Sequence, residues 1–284
     1  MHDFSHLRQQ FDDDGVIFLK EALSPSELAM AREAYEWSLA HPSPNACDFS
    51  QDPSIKFYQD LANPKALPAY RRLLDESRAA DIVGQLWDTP DVWFMYEQVF
   101  LKEGGDSRRT PWHQDSSYLP VDGEKIAVMW ICFDPVARDQ SLEFVPGSHR
   151  GMLYNGSSFD PADDTAPLYK DGRMPRLPNI EAERERWKIV SFAVERGDVV
   201  LFHPAMLHGG AATKRDCPRH TLSLRFFGDD ATYVSRSAFD KGGSRSTNHE
   251  VPDGEGMIFS VLSCTLSPGD PLCHPGFPKL RPRN

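Results

Sequence analysis

The sequence predicts a mainly β protein with flanking helices, a helical layer packed on a β-sandwich or barrel. Three observations lead there. Apolar residues at helical spacing dominate the first part of the chain. From Val92 the texture changes to β-rich runs separated by Gly, Pro and Asp turns. The strand runs follow the helical runs, as they do where a helical layer packs on a sandwich or barrel.

Residues 5–42 read as helix, strand, helix. "VIFLKEAL" (16–23) is an apolar strand after the turn signal Asp14-Gly15. The next helix has its start written in side-chain chemistry: Ser24 as N-cap, Pro25 at the first helical position, and Glu27 completing a capping box. Leu28, Ala31, Tyr35 and Leu39 follow at helical spacing, and Pro42 and Pro44 end it. Residues 64–87 carry further helices, with Leu67, Tyr70, Leu73 and Leu74, then Ile82, Val83 and Leu86 as their apolar positions. The β runs are "VWFMYEQVFLKE", "KIAVMWICFDPV", "SLEFVPGSH", "KIVSFAVERGDVVLFHP" and "HTLSLRFFGDD". Between them, residues 151–187 form a long insertion rich in Asp, Pro, Gly and Arg, the kind of segment that serves as a lid or binding loop. The organisation expected is a single domain over 1–284: a helical part to about 90, a β core over about 91–230, and an irregular C-terminal extension over 231–284.

The chain has 284 residues, 40% hydrophobic and 26% charged, ample material for a core. A net charge of −11 argues against attraction to nucleic acid or anionic membranes, while leaving room for a local basic pocket. Cys47, Cys132, Cys217, Cys264 and Cys273 show no paired spacing, so neither a disulfide framework nor a structural zinc site is expected, Cys273-His274 included. The N-terminal stretch has no secretory-signal pattern, and no apolar window is long enough to span a bilayer; a reducing cytoplasm is the expected setting.

The chemistry points to "TPWHQDSSYLP" (110–120). On an extended strand, residues two apart share a face, so His113 and Asp115 project together and Gln114 points away. Taken alone, His-x-Asp is more often a surface hydrogen bond than a site. A third ligand from elsewhere changes the reading, and His208, read as the end of the strongly apolar strand in "GDVVLFHPAMLHGGAA", is the best candidate. Two histidines and a carboxylate on one side of an ion leave the other side open, the donor set of non-haem Fe(II) sites.

"WHQDSSYL", "FDPVARDQSLEFVPGSHRG" and "GDVVLFHPAMLHGGAATKRDCPRHTLSLRF", in this order, resemble the phytanoyl-CoA dioxygenase family, as does the N-terminal "FDDDGVIFLKEALSPSELAMAREA". The resemblance runs from about residue 10 to about 228. It implies a double-stranded β-helix (a cupin-like jelly roll), and an Fe(II)- and 2-oxoglutarate-dependent dioxygenase that uses O2. Such an enzyme would hydroxylate an unactivated C–H of a small molecule and release succinate and CO2. His113, Asp115 and His208 match the iron ligands. Arg219, eleven residues beyond His208, matches the arginine that binds the distal carboxylate of 2-oxoglutarate; a guanidinium suits that task because its donors form a fixed fork that stays charged. If "RHTLSLRF" is extended, Thr221 and Ser223 share the face of Arg219 and can add hydroxyls, while His220 points away. Trp130 matches a position near the co-substrate, with a packed core tryptophan as the equal alternative. Gln98 matches a polar residue on 2-oxoglutarate more loosely, and Lys102 is an alternative partner for a nearby anion. Tyr118 and the 151–187 loop are the substrate-facing elements. His149 and His203 read as packing or hydrogen-bonding residues.

The chain departs from the family pattern at "ARDQSL", where an Asn-Gly turn is usual, and at Gly210, where a small hydroxyl residue is usual. Because Asp115 is present, a halogenase with chloride in the carboxylate's place is not expected. Two other readings use the same fold: a zinc-type hydrolase working through a metal-bound water, and a non-catalytic jelly-roll module that binds a metabolite or structural metal. Hydrolysis does not need Arg219. The substrate and the oligomeric state stay open.

Overall fold

The computed structural model describes residues 3–50, 55–103, 108–214, 217–236, 262 and 265–282. In chain order its main elements are α1 (Arg8–Asp14), β1 (Val16–Leu19), α2 (Pro25–Ala40), β2 (Cys47–Asp48), β3 (Lys56–Leu61), α3 (Leu67–Glu76), α4 (Ala79–Trp87), β4 (Val92–Glu103) and β5 (Thr110–His113). There follow β6 (Val121–Asp122), β7 (Ile126–Cys132), β8 (Leu142–Phe144), β9 (Val190–Ser191), β10 (Val199–Phe202), β11 (His208–Gly210), β12 (Arg219–Phe227), β13 (Thr232–Tyr233) and β14 (Lys279–Arg281).

Local chemistry sets the helix ends. The Glu27 amide donates to Ser24 Oγ and the Ser24 amide donates to the Glu27 carboxylate, so the capping box forms in both directions. At the other kind of boundary, α1 stops at Gly15, which sits at φ 71° and donates its N–H to the Phe11 carbonyl. A Cβ at Gly15 would lie 2.3 Å from Nδ1 of His149, so both the backbone angle and the space require glycine.

The strands form two facing sheets. The larger has the order β1-β10-β7-β12-β4-β3-β2, with β14 also on β4; the smaller has the order β5-β11-β8-β9. The pairings within both are antiparallel, and a small β13-β6 pair stands beside them. β7 explains the layering. All seven of its residues are buried, because its two faces meet different partners. Ala127, Met129 and Ile131 join the core shared with the helices, alongside Tyr35, Tyr70, Leu74 and Val83. Val128, Trp130 and Cys132 face inward, packing with Val200, Phe202 and Phe144 between the sheets. This is the jelly roll with a helical layer that the sequence implies.

Several boundaries differ from the sequence expectation. "VIFLKEAL" is a strand only over Val16–Leu19, after which the chain turns into α2. Within the part expected to be helical, β2 and β3 extend the large sheet, and β14 brings the C-terminal segment back to pair with the start of β4. Cys47, Cys132, Cys217 and Cys273 are free thiols; Cys264 lies outside the described residues. No helix among the described residues is long and apolar enough to cross a membrane.

Candidate metal centre and co-substrate chamber

The strand carrying the first ligand ends sooner than the spacing argument assumed. β5 stops at His113, Gln114 remains extended, and Asp115 opens a short 3-10 turn over Asp115–Tyr118. The two-residue periodicity therefore holds for one step past the strand, enough to bring Asp115 to the His113 side. Gln114 points the other way: its Nε2 donates to the carbonyls of Ala205 (2.7 Å) and Met152 (3.1 Å). That amide ties the ligand loop to the turn preceding His208. His208 is not at the end of the apolar strand; after β10 the chain turns and enters the other sheet, where His208 is the first residue of β11. There it is the direct cross-strand partner of His113, with ring centroids 4.2 Å apart.

His113, Asp115 and His208 offer ligand atoms that all lie within 4.8 Å of one another. Asp115 Oδ1 is 3.4 Å from Nε2 of His113 and 4.0 Å from Nε2 of His208. Nδ1 of His113 is 2.8 Å from the Pro111 carbonyl, and Nδ1 of His208 is 3.0 Å from the Met206 carbonyl. A carbonyl only accepts, so each Nδ1 carries the proton and each Nε2 turns its lone pair to the common point. Donors on an ion at ~2.1 Å lie ~3 Å apart at right angles, so the cluster fits a divalent ion after a small closure. Burial, and then the neighbouring His113, lower the His208 pKa to about 4, which keeps the ring neutral and able to ligate. Burial alone would raise the Asp115 carboxyl; the Arg225 guanidinium, with His113 and His208, holds it well below the usual carboxylate range.

β12 builds the chamber behind the cluster. Its cross-strand partners set the order: Arg219 faces Lys102, Thr221 faces Phe100, Ser223 faces Gln98 and Arg225 faces Tyr96. The alternate residues Leu222 and Leu224 enter the core under the helices, so Arg219, Thr221, Ser223 and Arg225 share the opposite face. On β7, Trp130 pairs with Ser223. Arg219 is 6% exposed, and its Nη1 donates to the Gln140 carbonyl at 2.7 Å, which anchors one arm of the fork. Burial lowers its pKa from the ordinary arginine value. Lys102 is 3% exposed, its Nζ has no hydrogen-bond partner, and it stands 4.0 Å from the Phe57 ring centre.

Arg225 was missed in the sequence, although continuing the alternation from Arg219 reaches it. Its Nη2 donates to Asp115 Oδ2 (2.8 Å) and to Gln98 Oε1 (2.7 Å). Gln98, expected on the co-substrate, has its oxygen engaged by Arg225. Gly210 also has a local reason. A Cβ there would sit 3.2 Å from Thr110 Oγ1, so the neighbouring strand's hydroxyl occupies the space that a side chain would need.

Tyr118 lies on the turn after Asp115, its hydroxyl donating to the Ser157 carbonyl of the insertion (3.0 Å). Its ring is 6.1 Å from that of His113. Phe159, also on the insertion, approaches His113 more closely, at 5.5 Å, and holds φ at 57°, an uncommon angle for a side-chain-bearing residue. Nothing in the sequence around Phe159 signals this. The His149 and His203 rings lie 5.4 Å apart, tilted against each other, and engage the carbonyls of Asp12 and Gly123, outside the ligand cluster. His220 faces outward between Asp134 (2.6 Å) and Glu103 (2.8 Å).

Fold and cluster together define a jelly-roll protein with a two-histidine, one-carboxylate facial site. The chain belongs to the phytanoyl-CoA dioxygenase (PhyH) family, whose model matches residues 11–221. The human peroxisomal phytanoyl-CoA dioxygenase is 28% identical over 150 residues, a match covering 51% of this chain and 42% of that protein. The chain thus spans less than half the length of that relative. Among solved structures, the nogalamycin-biosynthesis carbocyclase SnoK aligns with a TM-score of 0.67 at 20% identity, over 97% of this chain and 95% of its own. The epimerase SnoN, solved with Fe3+, alpha-ketoglutarate and nogalamycin RO, aligns with a TM-score of 0.64 at 19% identity, over 97% of this chain and 98% of its own.

Proposed function

We propose that the protein is an Fe(II)- and 2-oxoglutarate-dependent dioxygenase that oxidises an unactivated C–H of a small molecule, with release of succinate and CO2. One observation supports this above all. The open-sided cluster lies on the small sheet and its turn, and the buried guanidinium of Arg219 lies on the same inward face of β12 as Arg225, which reaches across to Asp115. A hydrolase or a structural metal site has no use for that arginine. When bound, iron supplies the oxidising chemistry with O2 and 2-oxoglutarate; the protein binds, orients and excludes.

In that division of labour His113, Asp115 and His208 hold the ion. Arg219, with one arm fixed on Gln140, receives the distal carboxylate of 2-oxoglutarate, and Lys102 stands opposite it across the strand pair. Thr221 and Ser223 lie along the same row, and Trp130 forms the wall beside them. Tyr118 and Phe159 flank His113 on the insertion side, where the substrate enters. An aromatic pair there suits a substrate that presents an apolar C–H-bearing face. The helices, the jelly roll and the returning C-terminal strand act as a single domain, as β1 and β14 in the large sheet support. The carbocyclase and epimerase names of the two structural neighbours make hydroxylation one outcome among several for the oxidised carbon; hydroxylation is the outcome proposed here.

Anaerobic addition of Fe(II) and 2-oxoglutarate should produce a weak visible charge-transfer band, and Arg219→Ala should weaken 2-oxoglutarate binding. Admitting O2 with candidate substrates should then release succinate. If the wild type forms no band and Arg219→Ala leaves 2-oxoglutarate binding unchanged, the proposal fails. Ester or amide hydrolysis supported by zinc alone would favour the hydrolase.

A further inference from the structure

Arg225 is the most deeply committed charge in the chamber. Its side chain is 5% exposed, and only Nη2 has partners; Nε and Nη1 are sealed from solvent without any hydrogen bond. Such burial is expensive, and an apolar residue would serve stability better unless the charge is needed where it stands. Four features fix its position. The guanidinium lies 4.6 Å over the ring of Tyr96, its cross-strand neighbour. Gln98 Oε1 accepts one Nη2 bond. β12 breaks register immediately after it, between Arg225 and Phe226, as bulges do where a side chain is re-aimed. The second Nη2 bond crosses from the large sheet to Asp115 Oδ2.

That last bond separates the two oxygens of Asp115 by role. Oδ1 faces the histidine nitrogens, and Oδ2 is held by the arginine. A free carboxylate can bind a metal through either one or both oxygens. We propose that Arg225 is a positioning residue that confines Asp115 to coordination through Oδ1 alone. The inference rests on the dioxygenase reading in one respect: a two-oxygen Asp115 would occupy a place that chelating 2-oxoglutarate and O2 require on a six-coordinate ion. The charge of Arg225 also draws electron density from the carboxylate, which opposes the swing of Oδ2 towards the ion.

The test uses the full chain with Arg225→Met, Arg225→Gln and Arg225→Lys, each checked by thermal melting. Mn(II) alone is the first probe, with water-proton relaxation counting the exchangeable waters on the bound ion. Wild type and Arg225→Lys should show one more water than Arg225→Met, while all bind Mn(II). The second probe is anaerobic Fe(II) with 2-oxoglutarate. Arg225→Met should bind 2-oxoglutarate roughly 10–100-fold more weakly, the scale on which loss of a partner behind a metal ligand lowers metal affinity or activity, and Arg225→Lys should recover most of that loss. Arg225→Gln keeps bulk and a donor without charge and stands in if Arg225→Met does not fold, with the same losses expected. An unchanged water count and 2-oxoglutarate affinity in the neutral variants would overturn the proposal. Parallel loss of Mn(II) binding in all three would also overturn it, by showing that the residue merely supports the fold. Failure of the wild type to bind 2-oxoglutarate would instead remove the functional reading, and the water count would still decide the role of Arg225.

Discussion

Replacing Lys102 with methionine should make the protein more stable and less able to bind 2-oxoglutarate. The structure places two basic side chains, Arg219 and Lys102, in register, and leaves the lysine Nζ buried without a partner. Burial first, and then the charge of Arg219, push the Lys102 pKa well below the ordinary lysine value. A buried donor left unsatisfied costs about 1–3 kcal/mol, and more when charged. Removing it should therefore raise the apoprotein Tm by several degrees, taking roughly 2–4 °C per kcal/mol for a chain near this size. The sign of the pH dependence follows. Between the depressed native pKa and the unfolded value, the unfolded chain holds a proton that the native chain does not, so wild-type stability rises with pH across that window. The advantage of Lys102→Met should accordingly be largest at lower pH and shrink towards the unfolded lysine pKa. Binding a dicarboxylate reverses the preference, because the anion favours the charged ammonium. Wild-type binding should take up a proton and weaken as pH rises; the variant should lose this dependence. Loss of one charge-assisted hydrogen bond, about 1.5–3 kcal/mol, corresponds to roughly 10- to 150-fold in affinity. Calorimetric titration in buffers of different ionisation enthalpy, with thermal melts over the same pH range, measures both effects. A variant that melts below wild type, or that binds 2-oxoglutarate as tightly with the same proton uptake, would refute the argument.

Glu97 offers a second stability test, on the other face of the same strand. It is 3% exposed, burial raises its pKa to about 8, and it accepts the Asn63 amide at 2.9 Å. The native carboxyl keeps a proton that the unfolded one has released, so stability falls as pH rises through the interval up to about 8. Glu97→Gln keeps the acceptor and should flatten that fall, gaining a few kcal/mol at the alkaline end on the scale of ~1.4 kcal/mol per pKa unit; equal pH profiles for the two proteins would count against it. The insertion has its own anchor. Glu143 accepts from Arg109 (3.0 Å) and Arg184 (3.1 and 2.5 Å), and Glu181 accepts from Trp112 and Arg184. Glu143→Gln should speed hydrogen exchange in 151–187 while costing only about 1 kcal/mol in global stability, since solvent screens part of the cluster; unchanged exchange there would show that the insertion is held by other contacts.

What the sequence discloses about this protein tracks the range of the interaction that specifies it. The α2 start is legible because Ser24, Pro25 and Glu27 satisfy the helix end among themselves. The inward row on β12 is legible because period-two alternation needs only an extended backbone, and Leu222 and Leu224 fall in the core as that alternation requires. β3 escapes notice because "KFYQDL" has no clean alternation; its place comes from pairing along β4, a contact from outside its own segment. β14 is too short to leave a pattern, and Arg281 is instead held by Asp81 on α4 and by the Ser77 carbonyl. Phe159 is the extreme case. Its approach to His113 depends on an uncommon backbone angle within a long irregular insertion, which no local residue pattern encodes.

The same distinction explains why the metal cluster is easier to anticipate than its tuning. Ligand identity follows from residue type and spacing, and "HQD" followed by a distant histidine narrows it to a few arrangements. The ligands' electronic state follows from what the far ends of their side chains touch. The carbonyls of Pro111 and Met206 set the histidine tautomers, each from two residues upstream of the histidine it serves. Asp115 depends on a guanidinium 110 positions along the chain, on the opposite sheet. Folding the two sheets face to face therefore does more than bring three ligands together: it gives the carboxylate a cationic partner on the side away from the histidines. A transplant of His113, Asp115 and His208 onto another jelly roll without an equivalent of Arg225 would reproduce the donors, but the carboxylate's second oxygen would be free.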